Sequence, residues 1–414
     1  VTAHDGATAH DGATAFDGAT ARDGATAATG TDAELLDAVR ARRSRMVDDL
    51  VAYIETETPS DDTGLLRAGL EHVERFLAAT VGPFTARALH EPDGYGPVVV
   101  GDLVAPVPTD AWAVVLCHYD TVWAAGTLAE WPVRTDGSRL TGPGAYDMKA
   151  GLVQFAHAVA VLDAAGAARP NVRLVLNGDE EIGSGGSRPV IEDTVRRTPG
   201  PVLVFEASAG ADGALKTARK GVGLFDVHVR GVEVHAGLHP TGGASAIDEV
   251  ARVVLALHGA ADLDAGTSLN VGVLSGGTRP NVRAGAATAA LDVRVSSEPE
   301  SRRIDGVLAG LTPHDPAASI EVTGDWNRPV MERTDRNVRL FRVAETAATA
   351  LGLTVTETSV GGASDGNFAA ALGAAVLDGL GAVGEGAHAR HEFVDLDRMV
   401  ERTALAAGVL RRLA

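Results

Sequence analysis

The 414-residue chain holds one cysteine, Cys117, so it cannot build an internal disulfide framework. A single thiol fits a reducing compartment. Its place in the apolar run AWAVVLCH reads as core packing ahead of a nucleophile's role. Basic residues are outnumbered, 36 Lys and Arg against 55 Asp and Glu, and the formal charge of -19 repels nucleic acid and anionic membrane surfaces. No basic segment followed by an apolar one opens the sequence, and no uninterrupted stretch of about 18 apolar residues occurs. The expectation is a soluble, cytoplasmic protein acting on a small molecule, with neither nucleic acid nor membrane as partner. The loops of nucleotide chemistry are missing as well. There is no GxxxxGK[ST], and GSGGS after Glu181 lacks the GxGxxG spacing.

What is present begins with a repeat. Residues 2–25 are four tandem hexamers, TAHDGA, TAHDGA, TAFDGA and TARDGA. Each unit offers small residues, an Asp-Gly turn signal and at most one large side chain, too little apolar area to offset the entropy of ordering. Residues 1–31 are therefore expected to be a disordered tail, with His4 and His10 at most adventitious metal binders.

From Asp32 the texture changes. ELLDAVRARRSRMVDDLVAYIETE has the pattern of one charged amphipathic helix ending near Pro59, followed by a second helix over about 65–79. AWAVVLCH, NVRLVLN and GPVLVFE are short apolar runs of the kind buried on both faces of a sheet, and helical stretches separate them. That alternation predicts an α/β domain with a mostly parallel central sheet, its ligand groups gathered at the carboxyl ends of the strands. After Gly210 the order becomes βαββαβ, that of a ferredoxin-like unit, with strands at 222–230, 269–274, 286–295 and 319–323. The chain then resumes helix-rich. The expected organisation is a first catalytic segment at 32–211, an inserted lid at 212–325 and a second catalytic segment at 326–414.

Chemistry concentrates where the apolar runs stop. His118 ends one, with Asp120 two residues on and, in an extended chain, on the same side. One can bind a metal while the other orients the imidazole or steers the ligand. Asp147 in GPGAYDMKAG opens a helix, where a carboxylate can bridge two cations or cap the helix. Asp179, Glu180 and Glu181 follow NVRLVLN after a single glycine, a crowding that is electrostatically poor unless cations neutralise it or a proton is shared. A solvated acidic turn is the plain alternative. If metals bind, the two glutamates can divide labour, Glu181 ligating and Glu180 taking a proton from water. Glu206 ends a third apolar run, and GEGAHARHEFV offers both His388 and His391. In the lid, His235 or its neighbour His239 could meet an oxyanion, Asn281 could donate to a substrate oxygen and Arg294 could clamp a carboxylate. The GGASDGN segment, with Gly362 and Ser364, has the look of a loop whose backbone amides approach a ligand closely.

In their order these segments resemble the M20 family of metallopeptidases, above all its glutamate carboxypeptidase-like and acetylornithine deacetylase-like branch. HYDTV, GAYDMKAG, DEEIGS and the AHxxxE ending at Ala387, His388 and Glu392 carry the resemblance, which runs from about residue 40 to the C-terminus. It implies a zinc-peptidase-like catalytic domain with an inserted lid. One metal would be held by His118, Asp147 and Glu206, the other by Asp147, Glu181 and His388, with Asp120 orienting His118 and Glu180 as general base. It also places the lid histidine on His235 and the substrate contacts on Asn281 and Arg294. The implied cofactors are two Zn²⁺ per subunit, with Co²⁺ or Mn²⁺ as substitutes. The implied reaction is cleavage of the amide bond to a C-terminal or N-acylated amino acid, glutamate being the named candidate, by attack of a metal-bridging water. A deacylase of the acetylornithine deacetylase or succinyl-diaminopimelate desuccinylase type is the alternative. The family includes lid-mediated homodimers and monomers, so the lid is the surface where a homodimer would form.

Overall fold

The computed structural model describes residues 31–414, and the hexamer repeats with His4 and His10 lie outside the described residues. The three apolar runs become neighbouring parallel strands, Asn171–Asn177, Trp112–His118 and Val202–Val204, at the centre of a six-stranded sheet. Val376–Leu377 adds in parallel on one side, while Val98–Leu103 and Ala86–His90 complete the other side antiparallel. The sheet is thus mixed, with its parallel part carrying the chemistry. From Ala113 to His118 every residue of the central strand is buried, as a run apolar on both faces requires.

Helices cover the sheet. The helix Ala150–Ala164 is buried around nearly its whole circumference, packed against the C-terminal helix Leu396–Arg412 and the helix Thr63–Val81. Gly151 near its start lies so close to the sheet that a Cβ there would stand 1.9 Å from the Phe205 carbonyl oxygen. The expected single N-terminal helix is instead two, Asp32–Ala41 and Arg43–Ile54. At the break the Arg42 N–H turns to the Val39 carbonyl, three residues back, so the ladder tightens and the axis changes. A Thr31–Glu34 capping box fixes the first of the pair.

The inserted segment has its own sheet, ordered 268–276, 286–295, 221–230, 319–328 and antiparallel throughout, with the helices Ala246–Gly259 and Glu298–Ala309 between strands. This is the βαββαβ arrangement read from the sequence, and it encloses a hydrophobic core separate from that of the main sheet. Its last strand, Ser319–Arg328, runs five residues beyond the expected end at Thr323. Pairing with Gly221–Arg230 carries it through Gly324, where φ is 106°, and on to Arg328. Among the described residues no helix is long and apolar enough to cross a membrane.

The Gly151 contact yields a direct test. Gly151→Ala should push the Phe205–Glu206 strand end outward and destabilise the protein by roughly 1–3 kcal/mol, the usual range for overpacking a close-packed site. Thermal unfolding followed by circular dichroism reads this as a lowered Tm, and an unchanged Tm would refute the close approach.

Candidate metal centre

Register explains why distant residues meet. His118 pairs with Asn177 and Leu116 pairs with Val204, so the residue two beyond Val204, Glu206, comes level with His118. Asp179 to Glu181 leave the adjacent strand at the same edge, Glu180–Ile182 forming a single 3-10 turn. Two more segments arrive through a small sheet in which Phe393–Asp395 pairs with Arg139–Thr141 and with Gly384–Glu385. This sets the loop bearing Asp147 beside the loop bearing His388. Glu392, fully buried, locks them together by accepting the backbone N–H groups of Gly144, Tyr146 and Asp147 and the Trp123 indole N–H. The Asp147–Met148 peptide is cis, and His388 has φ 61°, a backbone conformation rare outside functional or turn positions.

The side chains then converge. His118 Nε2 lies 3.4 Å from Asp147 Oδ1 and 3.3 Å from Glu206 Oε1, while His388 Nε2 lies 3.6 Å from Asp147 Oδ2 and 2.9 Å from Glu181 Oε2. The two oxygens of Asp147 therefore face two different imidazoles. Among the described residues buried His118 Nε2 has no hydrogen-bond partner, and its other nitrogen is held by Asp120, whose carbonyl is 3.1 Å away and whose Oδ1 is 3.3 Å away. Asp120 is itself fixed by the Ser60 hydroxyl at 2.7 Å and by the N–H groups of Glu180 and Glu181, both at 3.2 Å. An imidazole braced on one nitrogen with the other unpartnered among carboxylates is the arrangement a metal ligand needs. The donor atoms of His118, Asp147 and Glu181, and those of His118, Glu180 and Glu206, lie within 4.8 Å of one another. A divalent pair fits the residues present.

Electrostatics point the same way. Burial and the neighbouring Asp147 carboxylate push Glu181 up to about 7. Burial likewise raises Glu180 well above the usual carboxylate range, Arg328 opposing it. His388 is lifted to about 10 by its contacts with Asp147 and Glu181. For His118, burial works against the charged form, but Asp120, Asp147 and Glu206 outweigh it and the imidazole is held well above its ordinary value. The cluster retains protons that cations would replace.

The lid residues stand apart. His235 and Asn281 are neighbours on an exposed lid turn, the Ala236 N–H donating to the Asn281 carbonyl at 2.9 Å. His235 Nδ1 accepts the N–H groups of Gly237 and Leu238, which leaves Nε2 as the protonated donor. Arg294 is bound bidentately to Asp292 at 2.7 and 2.8 Å. Among the described residues no hydrogen bond or ion pair joins these three to the metal-ligand cluster. Gly362 is exposed and its carbonyl accepts from Arg219, whereas Ser364 is buried with its hydroxyl on Asp378 at 2.6 Å. His391 and His239 are exposed.

Sequence reasoning missed two buried arginines. Arg328, at the end of the last lid strand, reaches Glu180 Oε1 at 3.2 Å, the Ser184 hydroxyl at 2.8 Å and Asp365 Oδ1 at 3.3 Å. Arg219 ends the strand Leu215–Arg219, which falls within the expected lid at 212–325 but pairs with Glu357–Val360 of the second catalytic segment, so that the lid sheet starts only at Gly221; its guanidinium pairs with Asp378. The sequence signal for Arg328 is the Asn-Arg-Pro at 327–329, which lies beyond the strand end at Thr323 that periodicity predicts.

Comparison with known proteins agrees with this geometry. The sequence profile of peptidase family M20/M25/M40 matches residues 114–412. Carboxypeptidase G2 of Pseudomonas sp. (strain RS-16) is 28% identical over 308 residues, covering 72% of this chain and 73% of the relative. Acetylornithine deacetylase of Myxococcus xanthus is 32% identical over 244 residues, 55% of this chain and 59% of the relative. Among solved structures, the aminopeptidase PepT of Bacillus cereus aligns with a TM-score of 0.74 at 18% identity, over 90% of this chain and 98% of that one. The M20 family metallo-carboxypeptidase Sso-CP2 of Sulfolobus solfataricus aligns with a TM-score of 0.69 at 17% identity, over 89% and 99%. Both structures share the fold. With two overlapping sets of metal-ligand donors at the carboxyl ends of its parallel strands, this chain belongs to peptidase family M20/M25/M40 and is a metal-dependent hydrolase.

Proposed function

We propose that the protein is a two-zinc amidohydrolase that releases a C-terminal or N-acylated amino acid, with glutamate the first to test. The observation that carries this reading is the placement of Asp147 between His118 and His388, with Glu180 beside them. His118, Asp147 and Glu206 would hold one ion, and Asp147, Glu181 and His388 the other. The chemistry such ions supply when bound is polarisation of the scissile carbonyl and a lowered pKa for water. The donor distances alone would admit Glu180 as a ligand. However, Arg328 holds its Oε1, whereas Glu181 is engaged with His388, and this division supports Glu180 as the base. Glu180 accepts the water proton and delivers it to the departing nitrogen as the tetrahedral adduct collapses.

His235, with its proton on Nε2, is suited to donate to the oxyanion once the lid or a second copy brings it over the substrate. Asn281 travels with it. A substrate carboxylate would be anchored by the exposed backbone of the 361–362 glycines and by Arg294, for which it would compete with Asp292. The resemblance to carboxypeptidase G2 favours the carboxypeptidase reading. The acetylornithine deacetylase match keeps deacylation as the second. A panel of dipeptides, N-acyl glutamates and acetylornithine, followed by release of free amine, separates the two.

A homodimer is supported by the lid's free edge. Among the described residues the strand Ser268–Gly276 is paired on one side only, and Val273 and Leu274 on it are 65% and 57% exposed, with Leu255 on the adjoining helix at 73%. An apolar open edge of this kind invites pairing with its own copy.

Three outcomes are expected. Glu180→Gln should lower kcat by about 10²- to 10⁴-fold with metal content per chain unchanged, the usual loss when a general base is removed. Near-wild-type turnover with both metals retained would remove Glu180 from the role.

The second concerns pH. Glu181 and Glu392 are both pushed up to about 7, burial being the main cause in each, so their folded values lie above the unfolded value. The stability they contribute is present below the unfolded pKa and is lost as pH rises through the folded one. Metal-free protein should therefore lose Tm between about pH 5 and 7, and saturating Zn²⁺ should flatten the loss, because the ion replaces the Glu181 proton. A metal-free Tm that climbs over that interval would contradict the assignment.

Third, the double substitution of Val273→Lys and Leu274→Glu should halve the mass seen by analytical ultracentrifugation. A wild-type chain that sediments as a monomer would dispose of the lid-mediated dimer.

A further inference from the structure

Arg219 ends the strand Leu215–Arg219, two residues before the first strand of the lid begins at Gly221. It is 4% exposed, and its guanidinium is engaged on every side. Nε and Nη2 form a bidentate pair with Asp378 at 2.7 and 2.8 Å, and Nη1 donates to the carbonyls of Gly362 and Ala363, both at 3.1 Å. Its backbone clasps the chain where it returns from the lid. The Arg219 N–H donates to the Met331 carbonyl at 2.9 Å, and the Met331 N–H returns the bond at 3.1 Å.

Asp378 alone would neutralise this buried cation, yet Nη2 also lies 3.8 Å from Glu206 Oε2. The other oxygen of Glu206, Oε1, lies 3.3 Å from His118 Nε2. The two oxygens are thus divided, one toward the guanidinium and one toward the metal cluster. A free carboxylate could chelate a cation with both oxygens or swing away from it. One whose second oxygen faces a fixed guanidinium in a buried setting has a single oxygen left to offer.

We propose that Arg219 is a positioning residue for the metal centre, holding Glu206 Oε2 so that Oε1 alone ligates, and fastening that ligand to the root of the lid and to the 361–364 loop. The inference rests on the two-metal reading above. Arginine suits the task because its planar fork spans Asp378, the loop carbonyls and Glu206 at once, which the single ammonium of lysine does not.

The test measures metal affinity rather than turnover. Zn²⁺ and Co²⁺ binding to unmodified chain, to Arg219→Lys and to a double variant carrying Arg219→Met with Asp378→Leu is followed by competition with a chromophoric chelator. Circular dichroism checks folding. The double variant removes both buried charges together and so leaves neither orphaned. In each variant one of the two ions should bind about 10- to 100-fold more weakly, the range typical for loss of a group that braces a metal ligand, and the other should be little changed. In a zinc-loaded crystal of the unmodified chain, Glu206 should reach its ion through Oε1 alone. Folded variants that bind both ions as the unmodified chain does would overturn the positioning role, as would a zinc complex in which Glu206 chelates through both oxygens. Should neither variant fold, the zinc complex of the unmodified chain decides the matter. Fewer than two ions in the unmodified chain would overturn the two-metal reading, and the role of Arg219 with it.

Discussion

A single carboxylate shared between two imidazoles sets the terms for the rest of this structure. Asp147 turns one oxygen to His118 and the other to His388, with Glu206 flanking the first histidine and Glu181 the second. Glu180 and Glu392 lie close by, both buried or nearly so. So many acids in so little water cannot all ionise unless cations accompany them. Burial drives Glu181 and Glu392 up to about 7, and contact with Asp147 and Glu181 lifts His388 to about 10, so protons do the neutralising in the metal-free chain. Folding, proton count and metal affinity are consequently one linked equilibrium.

The fold delivers these groups by two routes. Parallel pairing puts His118, Glu181 and Glu206 at one edge because the strands run in the same direction and in fixed register. A small antiparallel sheet, sealed by Glu392, brings in the remaining two from far apart in the chain. The lid joins at the same edge, and each of its two connections carries a buried arginine. Arg219 on entry reaches toward Glu206, and Arg328 on exit reaches Glu180. The lid is tied to the chemistry by charge as well as by the residues it would bring over the substrate.

What could be read in the sequence followed from burial. Runs such as AWAVVLCH and NVRLVLN are too apolar at their centres to lie at a surface, and the acids two residues beyond their ends, Asp120 and Asp179, mark where buried strands meet charge. The lid's βαββαβ order was legible from periodicity for the same reason. Periodicity ends its last strand at Thr323 because Gly324 and Asp325 depress strand propensity, and pairing with Gly221–Arg230 overrides them. That early end hides Arg328. Arg219 could not be found at all, since an arginine buried against Asp378 is written with the same letter as the solvated arginines of the surface helices. The break at Arg42 turns on one hydrogen bond shifted by a residue, below what periodicity can register. Where His235, Asn281 and Arg294 stand relative to the metals depends on lid placement, which no local pattern encodes.

The most direct test is a calorimetric titration of metal-free protein with Zn²⁺, comparing the unmodified chain with Asp147→Asn. An amide can face one cation through its oxygen but cannot bridge two. The account predicts two ions per unmodified chain, with the variant losing one outright and holding the other more weakly. Two ions bound to Asp147→Asn with unaltered affinity would contradict it.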